Sequence, residues 1–297
     1  MHVYLPATTT VFYVLQALCI VSAQKVPASV LSAAIDLLDA SHILHLLDVV
    51  DAFGHVSVRN PVNSNQFLMT FAIAPALATS QSIVTYEVEN ATAIGLTFNS
   101  SITGAAVPTG FAERFIHSEI FKRFPDVLGV VHSHTQEILP FANQDCVKLV
   151  SQIHTAPSVG SEGAPVFDVR KLPENALPDN QVHDLDIRTE ALGDALARTF
   201  SVDSQVVLMR GHGMAVRAPS LCEAVFSSFY IKQDATVQLQ GILLGGGKAP
   251  LGLSKREVMD TATDARNRVD RAWSLWIRQV DTVELYTNDL RESTDPD

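Results

Sequence analysis

Two short apolar runs end in histidine, and this limits the folds open to the chain more than any other feature. Residues 127–132 read as a buried strand that hands over to His132-Ser133-His134. Residues 205–209 read as a second strand that hands over to Arg210-Gly211-His212-Gly213. Side chains two apart on a strand share a face, so His132 and His134 can converge on one ion at about 2.1 Å. Glycine on both sides of His212 allows close backbone approach and lets a turn aim one side chain into a cleft. A fold that brings the two strand ends together gathers three neutral imidazoles and leaves coordination positions open, as catalytic sites do. Spacing by itself leaves a metal centre and polar strand ends as even alternatives.

The stretch upstream adds a carboxylate. Residues 111–124 have helical period and are closed by Pro125. This helix carries Glu113 and, one turn further along the same face, His117. A helix that feeds directly into the histidine strand can place Glu113 beside an ion as acid or base, although taken alone it reads more readily as an exposed helix carboxylate.

Elsewhere, residues 27–50 show helical spacing with Pro27 suited to a helix start. Residues 56–59 alternate as a strand that Asn60-Pro61 ends, and residues 67–70, 84–88 and 166–169 are further strand candidates. Residues 140–153, 184–199, 220–244 and 254–280 read as helices, the third stopped by Gly245-Gly246-Gly247. There is no internal repeat and no linker. The expectation is one α/β domain over residues 24–297, with a mixed sheet and flanking helices.

With 47% apolar residues the chain can build a full core. A net charge of −11 and the lack of any long Lys/Arg cluster exclude nucleic acid and anionic membrane surfaces as partners. Arg266, Arg268 and Arg271 fall in a mixed-charge helix and read as a solvated or subunit-contact face. The cysteines, Cys19, Cys146 and Cys222, form no paired motif, which argues against a cysteine zinc site or a disulfide scaffold. Cys146 and Cys222 read as buried or half-buried thiols, with a single bridge between them left open.

Residues 11–23 are apolar and end in Val21-Ser22-Ala23, which matches a signal-peptide core with its cleavage site and is short for a membrane span. No Lys or Arg precedes this run. Sequons follow at Asn90-Ala91-Thr92 and Asn99-Ser100-Ser101. The reading is a signal peptide over residues 1–23, glycosylation and a secreted or vacuolar location. The alternative is an apolar helix packed on a cytoplasmic protein.

Together, Glu113-Arg114-Phe115-Ile116-His117, the run from Phe124-Pro125-Asp126 to His132-Ser133-His134, and Arg210-Gly211-His212-Gly213 resemble the class II aldolase/adducin family. The weaker Gly54-His55-Val56-Ser57-Val58-Arg59 resembles an early family loop. The resemblance spans roughly residues 30–245. It implies a three-layer α/β/α fold around a mainly antiparallel sheet, and a small-molecule substrate. It also implies a homotetramer with the site near a subunit interface. Matched position by position, His132, His134 and His212 take the family's metal-ligand places, with Zn2+ as the first expectation and Fe2+ or Mn2+ as alternatives. Glu113 takes the catalytic glutamate's place, and His117 that of a supporting histidine. His55, Ser57, Phe111 and the arginines Arg59 and Arg210 are candidates for lining the substrate. Either arginine could pair a carboxylate bidentately, with a structural ion pair as the equal alternative.

The departures from the family pattern bear on substrate. Phe111 and Ala112 stand where sugar-phosphate aldolases carry two hydroxyl residues. Met69-Thr70-Phe71-Ala72 lacks the glycine of the phosphate loop, His55 replaces an asparagine, and His154-Thr155-Ala156 lacks the proton-donor tyrosine. Apolar positions would strip water from a phosphate dianion without replacing it, so the expectation is an apolar pocket lined by Phe71, Phe111 and Phe167. The stretch from Gly160 to Asp168 resembles decarboxylases of hydroxylated aromatic acids, and a few non-haem iron oxygenases of aromatic keto acids. The expectation is therefore a metal-dependent carbon–carbon lyase, aldolase or decarboxylase, for a small non-phosphorylated hydroxy, keto or hydroxyaromatic acid, as in fungal-type secondary metabolism. The alternatives are a non-haem iron oxygenase or isomerase, and an adducin-like binding protein, which would have no use for all three histidines and Glu113. N-terminal sequencing of native material should find the first residue at or near Gln24. A chain that starts at Met1 would remove the secretory assignment.

Overall fold

The computed structural model describes residues 26–173, 177–178 and 180–292. The expected leader therefore lies outside the described residues. The helix α1 (Ala28–Leu46) comes first, followed by strands β1 (His55–Arg59), β2 (Gln66–Thr70), β3 (Ile83–Glu87), β4 (Ala93–Leu96) and β5 (Asn99–Thr103). Then come α2 (Arg114–Arg123), β6 (Gly129–Ser133), the short α3 (Leu139–Ala142), β7 (Val166–Phe167) and α4 (Glu190–Thr199). The chain continues through β8 (Val206–Met209), β9 (Gly213–Ala218), α5 (Leu221–Leu244), α6 (Lys255–Arg266), α7 (Val269–Val280) and α8 (Asp289–Glu292).

The strands form one nine-stranded sheet in the order β5-β4-β3-β2-β1-β6-β9-β8-β7. Every pairing is antiparallel except β7 with β8. Strand alternation divides the core in two. Val206 and Leu208 of β8, with Leu68 and Val131, face a cluster built with Leu37 of α1, Ile231 of α5 and Trp276 of α7. Val207 and Met209, with Phe67 and Val130, face a second cluster built with Ile116 and Phe121 of α2 and Leu196 of α4. Helices thus cover both faces of a mainly antiparallel sheet, which is the three-layer α/β/α arrangement. It also explains why the central strands read as apolar runs with little alternation. Helix α1 is long and apolar enough to cross a membrane, but 56% of its apolar window is buried in the fold, as in a core helix.

Four expectations change. Residues 184–199 are helical only from Glu190, where the Thr189 side chain caps the helix by accepting from the Leu192 amide. Residues 140–153 are helical only through Ala142. Beyond that, polar side chains of α5 offer the backbone a better set of partners than a helix would. Asp234 Oδ1 accepts from the amides of Gln152 and Ile153 at 2.8 and 2.9 Å, and Gln238 pairs with Val150 N and Lys148 O. Residues 254–280 form two helices, broken between Arg266 and Val269. The cysteines Cys146 and Cys222 are free thiols; Cys146 is exposed and Cys222 half-buried.

His42 of α1 is fully buried, and its Nε2 lies 3.1 Å from the Ala78 carbonyl. Burial pushes its pKa from 6.5 down to about 4. Between those two values the unfolded chain takes up a proton that the folded chain refuses, so stability is highest above pH 6.5 and falls as the pH drops towards 4. His42→Leu should flatten that decline by up to one proton in the slope of unfolding free energy against pH, as read from urea unfolding between pH 7.5 and 4.5.

Candidate metal centre

The register of the sheet places the site. His55 on β1 sits opposite His132 on β6, and His132 sits opposite Ala215 on β9. His132 shares the α2/α4 face with Val130, and His134 follows one residue beyond the end of β6. His212 occupies the turn between β8 and β9. Gly211 has φ +69°, a backbone that side-chain-bearing residues rarely adopt. A Cβ on Gly213 would lie 2.0 Å from the Ser133 carbonyl, so only glycine lets β9 press against the end of β6. Both glycines around His212 are therefore required by geometry.

The Nε2 atoms of His132 and His134 are 3.1 Å apart, and those of His134 and His212 are 3.2 Å apart. Glu113, at the start of α2, brings Oε2 to 3.2 Å from His132 Nε2 and 3.5 Å from His212 Nε2. One ligand atom from each of the four residues lies within 4.8 Å of all the others. The far side of each ring is already engaged. His132 Nδ1 is 3.1 Å from the Met214 carbonyl, His212 Nδ1 is 3.1 Å from the Leu185 carbonyl, and His134 Nδ1 is 3.5 Å from Asp51 Oδ1. A carbonyl or carboxylate at Nδ1 calls for the proton there, which turns the lone pair of each Nε2 inward. Three lone pairs and a carboxylate oxygen then face one another, and the natural partner of such a donor set is a cation. A tetrahedral ion with ligands at about 2.1 Å separates neighbouring ligand atoms by roughly 3.4 Å, close to the spacings seen here.

Electrostatics follow from this packing. Burial opposes ionisation of Glu113, but when protons on the facing nitrogens take the place of a cation, His132 and His212 outweigh it and hold the carboxyl well below the usual carboxylate range. Burial would lower His212, but its contact with Glu113 leaves it raised. Burial, reinforced by the neighbouring His132 and His212, lowers His134. Glu113 is thus not only beside the imidazoles but at ligand distance, and its Oε1 accepts the Ile187 amide at 2.9 Å. The 185–187 segment therefore fixes both Glu113 and His212. Leu185 takes φ +73° to do so, which is strained for a branched side chain.

His117 and Ser57 pack behind the cluster, with His117 joined to both His55 and Ser57. Phe111 lies over the His55 ring at 4.5 Å. Phe111 and Phe71 are half-buried against the α2/α4-side core, whereas Phe167 is a core residue only 4% exposed. Phe167 is therefore withdrawn as a pocket wall, because β7 turns it into the cluster beneath α4.

Arg59 is also withdrawn as a substrate residue. It is buried, and its guanidinium donates to the carbonyls of Val127, Ser64, Phe121 and Phe124, two of them at the C-terminal end of α2. It neutralises that helix end and ties β1 to α2. Arg210 is committed to Asp168, with Nε 2.8 Å from Oδ1. Arg170 and then Arg210 hold that carboxyl well below its ordinary range.

Sequence reasoning passed over Asp51, Asn143 and Asp168. Asn143 accepts from the Gly211 amide at 2.7 Å, and Asp168 holds the same turn through Arg210. Asp51 was detectable in part, because Asp51-Ala52-Phe53-Gly54 is a turn signature, and Asp51 Oδ1 does accept from Phe53 N and Gly54 N. Asn143 and Asp168 had no local signal.

Residues 35–239 match the class II aldolase and adducin N-terminal domain. The chain belongs to this family. It is 37% identical over 263 residues to the "Decarboxylase tropJ" of Talaromyces stipitatus, covering 83% of this chain and 93% of that one. Among solved structures it resembles an L-fuculose 1-phosphate aldolase from Glaciozyma antarctica, with TM-score 0.65, 17% identity, and coverage of 89% of this chain and 95% of that one. An aldolase II superfamily protein from Pseudomonas syringae also gives TM-score 0.65, at 18% identity, with coverage of 88% and 97%. At such identities the structures establish the fold alone. The family and the decarboxylase relative support a lyase-type function, and the Glu113/histidine cluster is suited to a divalent cation.

Arg59→Met should lower unfolding stability by about 3 kcal/mol, since it removes a charged donor from several buried carbonyls. The metal content of the folded protein should not change. Denaturant unfolding together with elemental analysis separates this from a role in the site.

Proposed function

We propose that this protein is a metal-dependent carbon–carbon lyase that decarboxylates a small, non-phosphorylated hydroxyaromatic or hydroxy/keto acid. The observation that carries the reading is the set of inward-facing acceptors of His132, His134, His212 and Glu113 next to an apolar wall, Phe111 over His55, where a phosphate would need hydroxyl donors. The decarboxylase relative supports the same reaction type. A divalent cation held by these residues, Zn2+ first and Fe2+ or Mn2+ as alternatives, would supply Lewis-acid stabilisation to the substrate oxygen next to the breaking bond.

The protein's own residues supply the rest. Glu113, ionised and pinned through Oε1, starts as a proton acceptor. It takes the proton of the substrate hydroxyl. The bond to the carboxylate then breaks, carbon dioxide leaves, and the electron pair stays on carbon. The same proton returns to that carbon, and the product leaves as the oxyanion, which water reprotonates. Phe111 and Phe71 would flank the ring and keep water from the carbon that receives the proton. The reading extends to a homotetramer, for which Leu243, Leu244 and Leu251, 71, 91 and 98% exposed, offer apolar surface to cover.

Glu113→Gln should lower kcat at least 100-fold. Unchanged metal content would assign Glu113 to proton transfer, and loss of metal would make it a ligand first. A panel of hydroxybenzoates, hydroxy and keto acids and sugar phosphates, run with and without oxygen, tests the substrate class. Efficient turnover of a sugar phosphate alone would sink the reading, and activity that requires oxygen would favour an iron oxygenase on the same scaffold.

A further inference from the structure

Behind the metal-ligating face lies a chain of hydrogen bonds with one open end. Strand β1 turns His55 and Ser57 to the same side of the sheet, beneath His117 of α2. Ser57 Oγ is 2.6 Å from His117 Nδ1, and His117 Nε2 is 2.7 Å from His55 Nδ1. Ser57 and His117 are fully buried and His55 is 3% exposed. The chain runs from the interior to the ring that packs 5.0 Å from His132 and 4.5 Å from Phe111.

The direction of the protons along this chain follows from the hydroxyl. Among the described residues, His117 Nδ1 is the one hydrogen-bond partner of Ser57 Oγ. Were His117 protonated at Nδ1, it would donate to Ser57, and the serine hydroxyl would have no acceptor for its own proton in a sealed interior. With the hydroxyl donating to Nδ1, His117 carries its proton on Nε2 and donates to His55 Nδ1. His55 must then carry its proton on its own Nε2. That atom has no partner among the described residues, yet it is not one of the polar atoms sealed from solvent without a hydrogen bond.

We propose that Ser57 and His117 set the tautomer of His55, so that it presents a neutral Nε2–H donor beside the metal cluster. The site would thereby select a substrate with an acceptor oxygen, carboxylate or phenolate, at that point. A fixed donor also discriminates: a substrate offering only an amide N–H or an ammonium group there meets a donor it cannot pair with. His55 would touch substrate, whereas Ser57 and His117 are positioning residues that act through it. The substrate class rests on the lyase reading above, but the direction of the chain does not.

Nitrogen-15 NMR of the full-length, zinc-loaded protein labelled at histidine tests the chain directly, with His55→Asn and His117→Gln used to assign the signals. The expected spectrum shows His55 protonated at Nε2 and bare at Nδ1. In Ser57→Ala the His55 signal should shift to a mixture of tautomers or reverse. A wild-type His55 protonated at Nδ1 overturns the proposal, as does a His55 signal that Ser57→Ala leaves unmoved. Should Ser57→Ala fail to fold, the wild-type spectrum still decides. Calorimetry with 2-hydroxybenzoate as probe then tests the donor. His55→Phe, which keeps an aromatic ring against Phe111, should weaken binding by about 10- to 100-fold, while His55→Asn, which keeps an N–H, should stay within about threefold. Equal weakening by both overturns the donor role. Absence of probe binding alongside the expected tautomers would instead count against the substrate class and leave the chain standing.

Discussion

Four acceptors turned towards one another make up the interaction on which the rest of this structure depends. The Nε2 atoms of His132, His134 and His212 and the Oε2 of Glu113 repel each other unless positive charge sits between them, and nothing in an apolar core would gather them spontaneously. The fold holds them from behind. Each Nδ1 is engaged by a carbonyl or carboxylate, and Glu113 Oε1 by the Ile187 amide. These contacts come from β9, from the turn that ends at Gly54, and from the segment 185–187. The cluster is thus preorganised by elements distant in sequence, at the cost of a strained Leu185 and two obligatory glycines.

The parts of this arrangement that sequence could reveal are those with a local period. His132 and His134 stand out because a strand repeats every two residues, and His212 because glycine flanks it on both sides. The apolar strands and α1, α4 and α5 were legible for the same reason. Where a side chain makes its contacts far along the chain, the local pattern misleads. Arg59 looked like a substrate ligand because arginine suits carboxylates, yet its position on β1 points it at the end of α2, where backbone carbonyls claim every arm. Phe167 looked like a pocket wall, but β7 pairs with β8 and buries it. Residues 140–153 carry helical spacing, yet Asp234 and Gln238, some eighty to ninety residues downstream, take over their backbone groups. Tertiary partners override propensity in each case.

The two halves of the core do different work. Helices α1, α5 and α7 fill the face turned away from the histidine cluster with aliphatic and aromatic packing. The opposite face carries the polar column of His55, Ser57 and Arg59, which meets α2 at His117 and again at Phe121. Helix α2 is consequently gripped at both ends. Glu113 at its start is fixed by the site, and the carbonyls at its finish are fixed by Arg59. A shift of α2 along its axis would disturb the carboxylate and the His117 contacts together, so Arg59 at one end of the helix helps to set the position of Glu113 at the other.

This bears on what a shared fold can say about substrate. The sheet order and the helix layers that produce a TM-score of 0.65 with an L-fuculose 1-phosphate aldolase come from the strand register and the glycines, which are indifferent to what binds. On the proposed reading, specificity would rest on the side chains around the histidine cluster: Phe111 and Ala112 just before Glu113, Phe71 after β2, and His55 at the head of β1. Here those positions offer two phenyl rings, a methyl and one imidazole. A dianionic phosphate would lose its water there and gain at most one neutral donor, whereas a planar acid would lose little water from its ring and could pair its single anionic group with that donor and the metal centre. The chemistry at the histidines can stay the same while the residues around them decide which molecule reaches it.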